Sequence, residues 1–267
     1  MLKNELKIFF TAVIFFTRIP CPKWVGHSTG YLNKATRYFP LIGWITGTVS
    51  FISLYLSLLV FPVEVEVAVV ISMISGILLT GAFHEDGFAD VCDGFGGGWK
   101  KQSILEIMKD SRIGAYGVIG LFFLLLLKFY ALKYIINISI TDFNNHITIL
   151  LLFITVHSVS RLAAISIVFT HQYVREDMES KAKPIAQSYT WKEVIGSFFF
   201  GLIPLIYLSF HQYQIIYALI PLLFARFMIS RYFKKWIGGY TGDCLGATQQ
   251  VCEVVFYLAV IATWKFI

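Results

Sequence analysis

The sequence predicts an all-α fold: a polytopic membrane bundle of about seven spanning helices, with a short N-terminal helix that is interfacial or re-entrant. Three observations lead there. Of 267 residues, 57% are hydrophobic and only 14% are charged, whereas a soluble domain carries about 25% charged residues. Mean hydropathy is correspondingly high, at +0.70. Seven apolar runs approach the roughly 20 residues a helix needs to cross the hydrocarbon core. Lysine and arginine alternate between the loops that join them, the mark of a fixed orientation in a bilayer. The same composition excludes disorder, a collagen-like repeat and a small disulfide scaffold. Despite a formal net charge of +6, soluble nucleic-acid binding is also disfavoured, because the basic residues sit in small clusters between apolar runs.

In chain order, residues 6–16 form the first apolar stretch, too short for an upright span and flanked by basic residues, so an interfacial or re-entrant helix is expected. No small-residue cleavage site follows it; Thr17-Arg18-Ile19-Pro20 comes instead, and a removable signal peptide is not expected. Spans are expected at about 38–61, 65–83, 113–136, 148–170, 194–210, 213–229 and 248–264. Loops 17–37, 84–112, 171–193 and 230–247 carry four, four, four and three basic residues, and loops 62–64, 137–147 and 211–212 carry none. By the positive-inside rule the four basic loops face the cytoplasm and the C-terminus lies outside. No repeat or long linker divides the chain, so one membrane-embedded domain over 1–267 is expected. Cys21, Cys92, Cys244 and Cys252 form no CxxC pair and read as small apolar residues in a reducing compartment.

The chemistry gathers in the basic loops. In His84-Glu85-Asp86-Gly87-Phe88-Ala89-Asp90-Val91-Cys92-Asp93-Gly94, three aspartates are spaced i, i+4, i+7 and share one helical face. Their mutual repulsion would be relieved by a divalent cation. Hard oxygen donors suit Mg²⁺, usually bound jointly with substrate phosphates. Glu85 would add a fourth carboxylate, although a helix turns it about 100° from Asp86. A solvated acidic turn is the plainer alternative; the third aspartate and the Gly96-Gly97-Gly98 backbone after it favour metal.

Further along the same loop, Lys109 and Arg112 are candidates for phosphate oxygens, with Asp110 able to join the metal shell or orient Arg112. Ordinary snorkelling of the two basic side chains is the competing reading. Lys128, His157, Arg161 and Arg226 lie within apolar spans, where charges normally face a cavity or a partner. Arg161 stands one turn from His157 and is a candidate substrate contact. Finally, Gly238-Gly239-Tyr240-Thr241-Gly242-Asp243 leads into the last span, with Glu253 ten residues on. Backbone N–H groups there, Gly242 among them, could receive a phosphate. Asp243 is either an N-cap or a metal or substrate ligand.

With these motifs in order, the chain resembles the cobalamin synthases, adenosylcobinamide-GDP ribazoletransferases of the late cobalamin pathway. The resemblance runs almost end to end. It rests on Phe16-Thr17-Arg18-Ile19-Pro20, Tyr38-Phe39-Pro40-Leu41-Ile42-Gly43, the His84-to-Gly94 motif, the Met108-to-Gly117 stretch and Thr241-Gly242-Asp243-Cys244-Leu245-Gly246-Ala247. Phe88 stands where the family pattern has leucine, and Glu85 stands at a variable position.

The resemblance implies a Mg²⁺-dependent enzyme of the prokaryotic inner (cytoplasmic) membrane. It would join adenosylcobinamide-GDP to α-ribazole or its 5′-phosphate, giving adenosylcobalamin or its phosphate and releasing GMP. Asp86, Asp90 and Asp93, with Glu85, would hold the metal. Lys109, Arg112 and Arg161 would neutralise phosphate charge, and an aspartate of the cluster or Asp243 would take the hydroxyl proton. Its partners would be the two substrates and the bilayer, with association with neighbouring pathway enzymes and oligomerisation left open.

Three rivals remain at this stage; one, an Asp-rich prenyltransferase, would also bind a Mg²⁺-pyrophosphate, but usually through two separate Asp-rich helical motifs. A membrane phosphotransferase acting on a lipid alcohol would want similar aspartates, but typically opens D-G-x-x-A-R, and here Asp86-Gly87-Phe88-Ala89 is followed by Asp90. A transporter would spread its ionisable groups through the bilayer depth and carry inverted repeats.

Overall fold

The computed structural model describes residues 2–25, 29–61, 64–140, 146–175 and 189–265. Most of the expected basic loop 171–193 and part of loop 137–147 lie outside the described residues. Among the described residues the chain is helical throughout, with one isolated bridge between Tyr173 and Tyr240.

Helix α1 (Leu2–Phe16) has 15 residues, about 22 Å of helix and short of a bilayer core. It is followed by α2 (Thr29–Ala35) and by α3 (Phe39–Val60), which starts with Pro40 in its first turn. There the missing N–H of proline is no loss. α4 (Val65–Thr80) stops three residues before the expected end of its span, because Gly81 and Ala82 both adopt left-handed backbone (φ 66° and 57°). Gly81 also has the Arg18 guanidinium against it, a group that a side chain there would have to displace. Here the chain turns by 89° into α5 (Phe83–Gly97), which therefore runs across the end of the bundle rather than through it.

α6 (Lys101–Ile107) completes the helical content expected within loop 84–112, and α7 (Ala115–Ile140) and α8 (His146–Val168) follow. α9 (Trp191–Ser209) begins with a capping box, in which Thr190 accepts from the Lys192 N–H while Glu193 reaches back to the Thr190 N–H. The expected span 213–229 is met within a longer one, Tyr213–Ile237. Residues Tyr213–Ala218 form a 3-10 turn, and α10 runs Leu219–Ile237 with Pro221 in its first turn. α11 (Gly242–Lys265) starts six residues earlier than the apolar run, because its polar first turn is helical too. Among the described residues six helices are long and apolar enough to cross a membrane, or up to seven if the bent α4–α5 pair counts as one. This is a multi-pass membrane bundle.

α8 is its axis: every residue from Thr155 to Ile165 is buried. Gly43 and Gly47, one turn apart on α3, lie against the α8 backbone at His157 and Phe153, where any Cβ would collide. Such small-residue spacing lets membrane helices approach closely when burying apolar surface gives no drive. α7 and α10 present Phe122, Phe123, Leu223 and Phe224 outward, as a lipid-facing surface should.

The four basic loops meet at one end. The Arg18 N–H donates to the Leu79 carbonyl, Arg175 reaches the Met108 carbonyl at 3.0 Å, and Val174 pairs through its backbone with Tyr240.

Candidate functional site

At that end α5 crosses the first turn of α11. Gly87 faces the Asp243 backbone and Gly246 faces the His84 backbone, so the two helices touch with little between them. The crossing brings Asp243 into electrostatic contact with Asp86 and Asp90, exposed and half-buried respectively on the outer face of α5. Partial burial, then the negative charges of Asp243 and Asp86, push the Asp90 carboxyl from its ordinary 3.8 up to about 7; Arg175 pulls the other way. Arg175 also pairs directly with Asp243 at 3.0 Å.

The N-cap question resolves against Asp243. Thr241 takes that role, its hydroxyl accepting from the Cys244 N–H at 3.3 Å. The Asp243 side chain is thereby left for Arg175 and the carboxylate cluster.

Other candidates fall elsewhere. Asp93 is buried, and its two oxygens accept the N–H groups of Gly114 (2.7 Å) and Gly117 (2.8 Å). It fastens the start of α7 to α5, so the third aspartate of the motif faces a helix terminus rather than the open site. Glu85 turns inward, as the 100° offset requires. Its Oε1 accepts from Gln250 Nε2 at 2.8 Å, inside the bundle. Arg161, 1% exposed, is sealed inside as well, donating to the His157 carbonyl at 2.9 Å and lying over the Phe39 ring.

Arg112 is exposed and forks onto Asp110 (Nη2 to Oδ2 2.6 Å), which holds the Asp110 carboxyl down at about 2. Asp110 thus orients Arg112. Lys109 is exposed in the same loop, and Gly242 is exposed with open space around it. Sequence reasoning missed Arg175, which stands in a basic loop with no periodic signal. It also passed over Gln249 and Gln250, although two adjacent amides just before Glu253 in an apolar run were a readable sign of a polar interior.

Among the described residues no three acidic, histidine or cysteine side chains stand close enough to hold a metal ion by themselves. That does not disqualify Mg²⁺, which usually takes one or two carboxylates and completes its octahedron with waters and substrate phosphates. Asp86 and Asp90, hard oxygen donors one turn apart and crowded by like charge, fit that requirement.

A recess of about 810 Å³ opens between residues 168–173, Tyr189, Lys234, Gly238 and Tyr240. Phe169, His171, Tyr173, Tyr189 and Tyr240 supply ring surfaces to its wall, and Lys234 supplies a charge. The backbone bonds joining Gln172, Val174 and Tyr240 tie this wall to the Arg175–Asp243 pair.

The chain matches the family described as Cobalamin-5-phosphate synthase over residues 8–261. It is 45% identical over 264 residues to an adenosylcobinamide-GDP ribazoletransferase of Shewanella amazonensis, the match covering 98% of each chain. It is 44% identical over 261 residues to the protein of that name from Ralstonia pickettii, covering 98% of this chain and 97% of the other. For the Shewanella frigidimarina protein the identity is 42% over 259 residues, covering 97% and 95%. No solved structure matches the chain.

Proposed function

The chain belongs to the cobalamin-5-phosphate synthase family, and from that premise we propose that it is an adenosylcobinamide-GDP ribazoletransferase working at the cytoplasmic face of the inner membrane. A ribose hydroxyl that is free in both α-ribazole and its 5′-phosphate, hence not the 5′-hydroxyl, attacks the phosphorus that carries the cobinamide. The new P–O bond forms, the P–O bond to GMP breaks, and the hydroxyl proton passes to a carboxylate. The observation that carries this reading is the meeting of Asp86 and Asp90 from α5 with Asp243 and Arg175 at the end where the basic loops gather.

Phosphoryl transfer asks a protein mainly for positioning and charge neutralisation. Asp86 and Asp90 would hold Mg²⁺, which when bound supplies charge neutralisation at the pyrophosphate. Arg175 pairs with Asp243 of the cluster and can exchange that contact for a phosphate oxygen. Asp243 is then the nearest remaining carboxylate for the hydroxyl proton. The ring-lined recess offers stacking surface to the base of a nucleoside substrate.

The transporter alternative loses ground because the buried Lys128 and Glu253 are paired with each other rather than lining a wide path. Lys128 binds Glu253 at 2.5 Å, and the cavity beside them is only about 20 Å³.

The test is GMP release from adenosylcobinamide-GDP by membranes carrying the protein, with and without α-ribazole and Mg²⁺. Release that requires both, and that Asp90→Asn abolishes, is expected. Release indifferent to α-ribazole, or undiminished in Asp90→Asn, would overturn the proposal.

A further inference from the structure

Behind the catalytic face, α5, α7, α8 and α11 enclose four ionisable side chains that the phosphate chemistry does not use: Glu85, Lys128, Arg161 and Glu253. Their relative exposures are 6%, 6%, 1% and 1%. Two cations and two carboxylates balance, as charges buried in a membrane bundle must. Only Lys128 and Glu253 meet directly. Arg161 is held through its Nη atoms by the His157 carbonyl and more loosely by Thr46, leaving Nε without a hydrogen bond. Glu85 is held through Oε1 by Gln250, leaving Oε2 without one.

The cavity of about 20 Å³ lies among these unsatisfied atoms. Among its lining residues, Glu85 Oε2, Gln249 Oε1 and Gln250 Oε1 need donors, Arg161 Nε and the Tyr257 hydroxyl need acceptors, and His84 Nε2 lacks a partner. Buried polar atoms left bare are costly, so six around one space call for an occupant. A metal cation would face Lys128 and Arg161, and an anion would face Glu85 and Glu253. Water serves both kinds of atom, and the volume suits one or two molecules.

We propose that this cavity is a hydration site, that its water completes a Glu85–Arg161 bridge, and that Glu85 is thereby a positioning residue for α5 rather than a ligand of the metal. Glu85 precedes Asp86, and its partner Gln250 sits two turns below Asp243 on the same face of α11. Locking Glu85 to Gln250 and to Arg161 fixes the rotation of α5 against α11. That rotation decides whether Asp86 and Asp90 face Asp243. The positioning role rests on the function proposed above; the hydration site does not, since it needs neither metal nor substrate.

The first experiment is accordingly a structure of the wild-type protein, without Mg²⁺, at a resolution that shows ordered water. One or two waters within hydrogen-bond distance of Glu85 and Arg161 are expected; an empty cavity, or a metal cation in it, overturns the hydration site. The second uses Glu85→Gln, Gln250→Leu and the double variant, comparing folded yield, the Mg²⁺-induced rise in melting temperature, and the kcat and Mg²⁺ dependence of GMP release. Outer partners of metal ligands typically change metal affinity 10–100-fold. Each single variant should fold and raise the Mg²⁺ needed for half-saturation by about tenfold, with a smaller effect on kcat. The double variant should be no worse than the worse single. If only Glu85→Gln weakens Mg²⁺, and Gln250→Leu does not, Glu85 is a direct ligand and the positioning role fails. It fails equally if neither variant moves the Mg²⁺ dependence.

Discussion

Asp90 titrates near neutrality in the metal-free protein, and this makes Mg²⁺ binding steeply dependent on pH. Its carboxyl stands at about 7, against an ordinary 3.8, first because it is partly buried and then because Asp243 and Asp86 lie beside it. The folded protein therefore holds this proton more tightly than the unfolded chain does. The stabilisation by the proton is fully present below the unfolded value of about 3.9, and it is lost as pH rises through about 7. Mg²⁺ needs the ionised form, so proton and metal compete. With a pKa of about 7 the group is roughly nine-tenths protonated at pH 6 and one-tenth at pH 8. Mg²⁺ affinity should accordingly rise about tenfold between those values. Because Asp90 is only partly buried, solvent screening trims the underlying energy. The assay is the melting temperature of the solubilised protein against Mg²⁺ at pH 6, 7 and 8. Wild type should need about ten times more Mg²⁺ at pH 6 than at pH 8, and Asp90→Asn should bind weakly with little slope. An equal slope in Asp90→Asn, or none in wild type, would refute the reasoning.

Three further outcomes follow from the same geometry. Arg175→Ala removes the cation that binds both Asp243 and the Met108 carbonyl; turnover should fall by about 10²-fold while Arg175→Lys recovers part of it, as for a charge clamp at a phosphate, read by GMP release. Tyr173→Ala strips a ring from the recess and should raise the KM of one nucleoside substrate by about tenfold, the worth of a base-stacking contact, leaving the other substrate's KM unchanged in two-substrate kinetics. Ala82→Gly relieves a left-handed alanine and should raise the melting temperature, by an amount corresponding to about 1 kcal/mol; Gly81→Val, placed against Arg18, should lower it sharply.

Much of the fold could be read from composition because a bilayer leaves few options: apolar runs of bilayer length become spans, and basic loops share a side. The helical spacing of Asp86 and Asp90 was legible for a similar reason, since period alone puts i and i+4 on one face. What period cannot say is which way that face turns. Asp93 sits at the same periodic position but lies deeper, and the free N–H groups of Gly114 and Gly117 claim it. Glu85, one residue from Asp86, turns the opposite way into the bundle. Both fates depend on the 89° break at Gly81-Ala82, whose backbone geometry is a tertiary outcome for the alanine. Arg175 was illegible because its role is set by the Tyr173–Tyr240 bridge, a contact between segments 67 residues apart.

The interior cluster and the outer site are two consequences of one helix crossing. On α11, Asp243, Gly246, Gln250 and Glu253 recur at i, i+3, i+7 and i+10, a continuous face running from the exposed end into the bundle. Gly246 lets α5 lie directly on that face. One end of the contact then sets Asp243 beside Asp86 and Asp90, and the other sets Gln250 on Glu85. α5 packs Phe88, Val91 and Phe95 against the apolar core, and directional polar bonds at its inner face add a second constraint on its rotation. Buried charges are costly in a membrane; Glu85, one residue before Asp86, sets one of them on Gln250 of α11, where α5 and α11 cross.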